Sequence, residues 1–301
     1  MSKVSAIVVN YNAGSVLNET VKLLLDLKPV AQVIVVDNGS TDHSMGSIEN
    51  LALSQSHLIC IRNNKNLGFA KACNIGVVAA GESEYLLFLN PDCLPAQDAL
   101  EKLLICMKSS QQTGMAGPLV LNPDGTEQPG GRRAVPTPWR SFVRVFGFFN
   151  FRKRYPRLFS DFLLHHQPLP DVPVEVEAIS GSCMLVNRAA LKDVGLLDEG
   201  YFLHCEDLDW CMRFRQRGWK IMFVPDAHVT HHQGTCSKTR PIFVEWHKHK
   251  GMMRFYGKFF RHQYPGVLML VVATGVWLRF GAMAVSHSVR RVGERLLHGW
   301  L

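Results

Sequence analysis

The sequence predicts an α/β fold: a mostly parallel sheet flanked by helices, followed by a C-terminal helical extension. Three observations carry this. Short β-branched runs alternate with helical stretches over residues 4–120, the first four runs each end in polar residues, and past residue 240 long basic, aromatic and apolar segments take over.

In chain order, residues 4–10, 32–37, 57–61 and 85–89 read as strands, and residues 15–27, 44–53, 69–80 and 96–108 as the helices between them. Alternation of this kind is Rossmann-like. The strands close on Asn10-Tyr11-Asn12, Asp37-Asn38-Gly39-Ser40, Asn63-Asn64-Lys65-Asn66 and Asn90-Pro91-Asp92, so polar residues gather along the carboxyl edge, where open α/β sheets bind ligands. Another strand is expected at 114–121, followed by the turn Asn122-Pro123-Asp124-Gly125. Residues 132–157 break the pattern. Eight basic residues alternate there with aromatics and no acidic residue intervenes, which predicts an insertion or mobile loop within about 128–172. Residues 174–186 form two β-like runs around Ser180-Gly181-Ser182. Helices follow at 188–194 and 207–217, the second ended by Gly218, and short strands at 220–224 and 228–230.

The 301 residues fit one large domain over 1–240 with an appendage over 241–301. Lys and Arg outnumber Asp and Glu 33 to 25, a balance that attracts phosphates, acidic headgroups or nucleic acid. Eight scattered cysteines with no Cys-x-x-Cys pair predict a reducing compartment. The first strand starts almost at once, without a signal-peptide pattern, and predicts a cytoplasmic protein. In the appendage, residues 246–261 mix lysines and arginines with Trp246, Phe255, Tyr256, Phe259 and Phe260. Residues 266–278 are apolar until Arg279 interrupts them, short of the roughly 18–20 residues a spanning helix requires. The expectation is an interfacial helix on an anionic membrane surface; a helix packed on the main domain with a solvated basic face is the plainer alternative.

Four groups carry chemistry. Asp92, at the end of the apolar run 86–89, is placed to hold a divalent cation against a diphosphate, with Asn90 as a weaker oxygen donor, although Asn-Pro-Asp alone is good turn chemistry. Asp37 suits a nucleobase N–H, whereas Ser40, Thr41 and Asp42 suit helix capping. Gly68 and Lys71, at the start of a helix, suit a phosphate, or an ordinary loop-to-helix transition with a solvated lysine. Glu206 and Asp207 open a helix whose field keeps carboxylates ionised, making Asp207 the candidate general base and Glu206 its alternate. His231 or His232 supplies a further metal ligand. His228, His231, His232 and Cys236 lack the paired spacing of structural zinc.

Together, residues 8–12, 35–42, 66–74, 90–92, 180–184, 202–210 and His231-His232-Gln233-Gly234 stand in an order that resembles family 2 glycosyltransferases. The rhamnosyltransferase-like branch that builds bacterial polysaccharides resembles them most, over roughly residues 4–235. The resemblance implies a GT-A fold, a nucleotide-sugar donor, Mg²⁺ or Mn²⁺, and inversion by single displacement. It implies that Asn12, Asp37 and Asn66 hold the nucleotide, that Asp92 holds the metal and that Asp207 is the base. Asn10, Asn38, Gly68, Lys71 and Asn90 complete the expected donor site. The family's Asp-x-Asp is here Asn90-Pro91-Asp92, one carboxylate fewer. The expected reaction moves L-rhamnose from dTDP-rhamnose to a glycan or polyprenyl-linked acceptor at the inner face of the bacterial cytoplasmic membrane. A UDP-hexose donor on the same fold is one alternative. A non-enzymatic nucleic-acid-binding protein, suggested by the basic aromatic insertion, is the other, although no recognisable nucleic-acid module supports it.

Overall fold

The computed structural model describes residues 3–155, 158–232 and 240–298. Arg157, Gln233, Gly234 and Cys236 lie outside them. The described chain forms two compact units, Met1–Val135 with Phe162–Phe202 and Glu206–Cys236, and Pro136–Asp161 with Leu203–Cys205 and Ser237–Leu301.

In the first unit, β1 (Val4–Asn10), β2 (Val30–Asp37), β3 (Leu58–Arg62) and β4 (Tyr85–Leu89) lie in the order β3-β2-β1-β4, all parallel. The helices α1 (Val16–Asp26), α2 (Ser44–Ala52) and α3 (Phe69–Ala79) connect them. β1 is buried at every residue because both faces of the sheet are covered, which is why it reads as a continuous apolar run rather than an alternating one. Val4, Ala6 and Val8 share a core with Leu17, Val21 and Leu24 of α1. Since β1 is flanked by β2 on one side and β4 on the other, the crevice between the carboxyl ends of β1 and β4 is a topological switch point.

Beyond β4 the sheet becomes mixed. β10 (Cys183–Asn187) runs antiparallel between β4 and β6 (Thr113–Leu121), and β6 pairs in parallel with β11 (Lys220–His231). β5 (Cys93–Pro95) and β8 (Val174–Glu175) both pair antiparallel with β11. The expected parallel sheet therefore describes the first half. The second half departs because the chain re-enters through β10 from the opposite end, after a long excursion that contains a two-stranded ribbon of β7 (Arg132–Arg133) and β9 (Ala178–Ile179). The two expected strands at 220–224 and 228–230 are one strand, irregular between Val224 and His228. The sheet is backed by α4 (Ala99–Lys108), α6 (Arg188–Val194) and α7 (Glu206–Gln216).

The second unit joins α5 (Pro138–Val145) and a 3-10 turn at Phe148–Lys153 to α8 (Pro241–Phe259) and α9 (Gly266–His298). The sequence reading keeps the whole insertion with the first domain. In the structure residues 136–161 cluster instead with the C-terminal helices, where the Ser141 and Tyr256 hydroxyls share a 2.6 Å hydrogen bond. Part of the insertion is thus regular, not a loop: Pro138 occupies the first turn of α5 and the Thr137 side chain caps it by accepting from the Arg140 N–H at 3.2 Å. The expectation that Arg279 ends the apolar run also fails. α9 continues unbroken through it, and an 18-residue stretch within Gly266–Arg291 has a mean hydropathy of 1.8, so the helix is long and apolar enough to cross a membrane by length and composition. A helix tolerates one arginine because its long stem reaches away from its own Cα.

Candidate active site

Two loops at the switch point are stitched together by side chains. The Asn10 amide donates to the Asp37 carboxylate (2.9 Å) and to the Ser40 and Ser44 hydroxyls (3.1 and 2.8 Å), while its oxygen accepts from the Ala13 N–H. Fully buried and engaged at both ends, Asn10 positions Asp37 from beneath. Asp37 also accepts from the Ser40 N–H at 3.3 Å. Asn12, in the left-handed region at φ 53°, accepts from the Thr41 N–H at 2.7 Å and so ties the end of β1 to the β2–α2 loop.

Asn38 ties the next loop in turn. Its amide donates to the Asn66 side chain (2.9 Å) and the Gly68 carbonyl (3.2 Å), and its oxygen accepts from Asn63 and the Leu67 N–H. Asn10 and Asn38 therefore act through the loops they hold. Gly68 has φ 90°, and a Cβ there would lie 2.7 Å from the Phe202 carbonyl oxygen, so only glycine fits this entry to α3. Lys71, one turn in, is half-exposed with its Nζ 3.5 Å from Glu199, so a carboxylate already answers its charge.

Asp92 is buried at the end of β4, and its Oδ1 lies 3.2 Å from Nε2 of His231 on β11. Strand alternation separates the two histidines: His231 faces inward to Asp92, whereas His232 is exposed, its N–H donating to the Asp92 carbonyl at 2.9 Å. Of the two ligand candidates, His231 is the one whose ring lies beside the Asp92 carboxylate. Cys93 completes a group whose ligand atoms lie within 4.8 Å of one another. Burial raises its thiol well above the ordinary range, so it stays protonated, and it belongs to the apolar core. Among the described residues a cation there would meet one carboxylate and one imidazole, which would suit Mg²⁺ or Mn²⁺ with phosphate oxygens in the remaining positions.

At the start of α7 the two acids differ sharply. Asp207 is buried, yet the nearby charge of Arg133, a hydrogen bond from that guanidinium, and the N–H groups of Gly181 (3.0 Å) and Leu208 (2.8 Å) outweigh the burial and hold its carboxyl below the usual range. Glu206 has less such company: a backbone hydrogen bond and the Arg133 charge favour its ionised form but do not offset its burial. Its Oε2 is buried without a hydrogen-bond partner among the described residues, and burial together with the Asp207 charge pushes it up to about 8. At neutral pH Asp207 is the ionised member and Glu206 the protonated one. Asp209 is structural: it accepts from Arg213 one turn on (2.7 Å) and from the Tyr201 hydroxyl.

The turn Ser180-Gly181-Ser182 touches both centres, since the Asn90 N–H donates to the Ser182 carbonyl at 2.9 Å and Gly181 donates to Asp207. Sequence reasoning missed Arg133 because it lies in a run of basic residues. In the two-residue strand β7 alternate directions send Arg132 to Glu127 and Arg133 to Asp207, 74 positions away, and no local spacing signals that contact.

The family model described as glycosyl transferase family 2 matches residues 5–195. An N-acetylglucosaminyl-diphospho-decaprenol L-rhamnosyltransferase of Mycobacterium tuberculosis is 29% identical over 280 residues, 90% of this chain and 88% of its own length. The rhamnosyltransferase WbbL of Escherichia coli is 25% identical over 66% of this chain and 82% of its own, and the dTDP-rhamnosyl transferase RfbF of Shigella flexneri is 24% identical over 85% and 77%. Among solved structures, a mannosyltransferase of Pyrobaculum calidifontis, in complex with GDP-Man and Mn²⁺, has a TM-score of 0.57 at 15% identity, covering 97% of this chain and 79% of its own. GalNAc-T7, with UDP, GalNAc and Mn²⁺, has a TM-score of 0.58 at 18% identity; the match covers 91% of this chain and 54% of that one. Both show the GT-A fold. The chain belongs to glycosyltransferase family 2, in a branch that resembles the rhamnosyltransferases.

Proposed function

We propose that this glycosyltransferase moves L-rhamnose from dTDP-rhamnose, with inversion, to a hydroxyl of a lipid-linked or cell-envelope glycan. The observation that carries the reading is the meeting of two unlike acid centres at one turn: residues 180–182 bond Asn90, two residues before Asp92 and its neighbour His231, and also the Asp207 carboxylate. Asp37 at the end of β2, with Asn12 and Asn66 in the loops beside it, would meet the nucleotide. Asp92 and His231 would hold a divalent cation, which when bound neutralises charge on the departing nucleoside diphosphate. Asp207 takes the proton of the acceptor hydroxyl as its oxygen bonds to the anomeric carbon and the bond to the diphosphate breaks. Arg133, already on one Asp207 oxygen, keeps that carboxylate ionised until the acceptor arrives. Rhamnose as the sugar is supported by the names of the relatives.

The test is release of dTDP from dTDP-rhamnose by the purified protein, with an N-acetylglucosaminyl-diphospho-polyprenol acceptor and with or without Mn²⁺. Transfer dependent on metal and acceptor, with the anomeric configuration reversed in the product, is expected. Faster turnover with a UDP-hexose would replace the donor, and retention would overturn the single displacement.

We also infer that the second unit holds the enzyme on the cytoplasmic face of an anionic membrane. On α9, Val267, Val271, Leu278, Val285 and Val289 are exposed at spacings of four and seven, one apolar stripe, while Trp246 of α8 packs with Trp277 and Phe280 beside it. Val271→Asp with Leu278→Asp should cut flotation with phosphatidylglycerol vesicles at least tenfold without unfolding the chain. Unchanged flotation of a folded double variant would remove the stripe from membrane binding.

A further inference from the structure

A chain of hydrogen bonds runs from the surface turn after β6 to the buried imidazole of His231. The Thr126 hydroxyl donates to Asp124 Oδ1 at 2.6 Å; the Asn122 amide donates to Thr126 Oγ1 at 2.9 Å; the Gln128 amide donates to Asn122 Oδ1 at 3.1 Å; and Gln128 Oε1 stands 2.8 Å from His231 Nδ1. Asp124 and Thr126 are exposed and Gln128 is buried, so the chain leads from water to the histidine beside Asp92.

Its polarity can be read from one end. The hydroxyl and the N–H of Thr126 both point to Asp124 and hold its carboxyl below the usual range, so at neutral pH it only accepts. Thr126 has a single hydroxyl proton, and Asp124 takes it. Thr126 Oγ1 must then accept, which fixes the Asn122 amide nitrogen toward it and the Asn122 oxygen toward Gln128. That oxygen needs a donor, so the Gln128 nitrogen faces it and the Gln128 oxygen faces His231. A flip of either amide would set two acceptors against each other in a partly buried place.

We propose that Asp124, Thr126, Asn122 and Gln128 form a relay that keeps the proton of His231 on Nδ1, leaving the Nε2 lone pair for the cation beside Asp92. These four are positioning residues: none touches the cation or the substrate. The proposal rests on the reading of Asp92 and His231 as cation ligands, whose Oδ1 and Nε2 stand 3.2 Å apart. An orienting partner on the second ring nitrogen is a general requirement of metal-binding histidines. Here the orienter is neutral, and its direction is imposed by a carboxylate three residues further along the chain of bonds.

Long-range ¹H–¹⁵N spectra of metal-free protein labelled in histidine test this directly. In the wild type His231 should carry its proton on Nδ1; a proton on Nε2 with Nδ1 bare would overturn the relay. Thr126→Val lies on an exposed turn and leaves the fold intact, but removes the acceptor that orients Asn122. It should populate the Nε2–H form and weaken Mn²⁺ binding, measured by electron paramagnetic resonance in the presence of dTDP, by about tenfold or more. Thr126→Ser should restore both. A folded Thr126→Val with unchanged tautomer and unchanged Mn²⁺ affinity would overturn the proposal. If the wild type shows Nδ1–H yet binds no Mn²⁺ with dTDP, the cation reading falls while the relay stands, so the two failures are distinguishable.

Discussion

The Asp92 and Asp207 centres are both buried carboxylates at the carboxyl edge of one sheet, and they solve opposite problems. Asp207 is surrounded by donors, a guanidinium and two backbone N–H groups, so its charge is met by the protein itself. Asp92 lies 3.2 Å from the His231 Nε2, and on the proposed reading a cation between them meets its charge. On the proposed reading, the difference teaches how a cation seat differs from a base: one sets a carboxylate beside an imidazole, the other converges N–H groups on a single carboxylate. The sharpest way to break this comparison is Asp92→Ala. Transfer should fall to background, by about four orders of magnitude or more, and dTDP binding should lose its dependence on Mn²⁺. Wild-type turnover in Mg²⁺ would remove Asp92 from the cation seat.

Asp207→Asn is the matching change at the other centre. It preserves shape and an acceptor oxygen for Gly181 but cannot take a proton. Donor affinity should change little while single-turnover transfer drops by about two to four orders of magnitude. Near-normal transfer in a well-folded variant would mean that Asp207 serves only the start of α7 and the Arg133 contact, and would move the base elsewhere.

The two centres also differ in how much of them the sequence discloses. The strand endings Asn10-Tyr11-Asn12, Asp37-Asn38 and Asn90-Pro91-Asp92 are legible because a buried parallel strand must be apolar and must stop at polar residues, and β1, β2 and β4 begin or end within two residues of their expected limits. Asp92 is legible for the same reason. Its partnership with His231 is not, since choosing between His231 and His232 requires the phase of β11, and one residue of slip exchanges them. Arg133 and Gln128 were hidden for a different reason. Their partners lie 74 and 103 positions away, across strands that pair only in the folded sheet, and each sits in a segment whose local pattern says loop. The length of α9 was obscured by a single Arg279, because a charge counted in a window does not say where its side chain goes.

Glu206 sharpens the comparison most finely, because its burial is the least compensated of the three acids. Burial and the Asp207 charge raise it to about 8 from an ordinary 4.5, so the folded protein holds a proton there that the unfolded chain releases at much lower pH. A raised folded value means that the stability tied to this proton is complete below pH 4.5 or so and is lost as pH rises toward and through 8. Asp207 has the opposite sign: its depressed value contributes stability above about pH 4 that disappears on acidification. The wild-type melting temperature should therefore decline across pH 6 to 9 more than a surface carboxylate would cause. Glu206→Gln, neutral at every pH, should flatten that decline and raise the melting temperature at pH 9 by a few degrees, on the order of 1 kcal/mol or more for a chain of this size. Transfer should fall less than in Asp207→Asn. Melting curves of both proteins from pH 5 to 9 decide it: parallel declines would show that Glu206 is already ionised at neutral pH, and the buried proton beside the base would have to be given up.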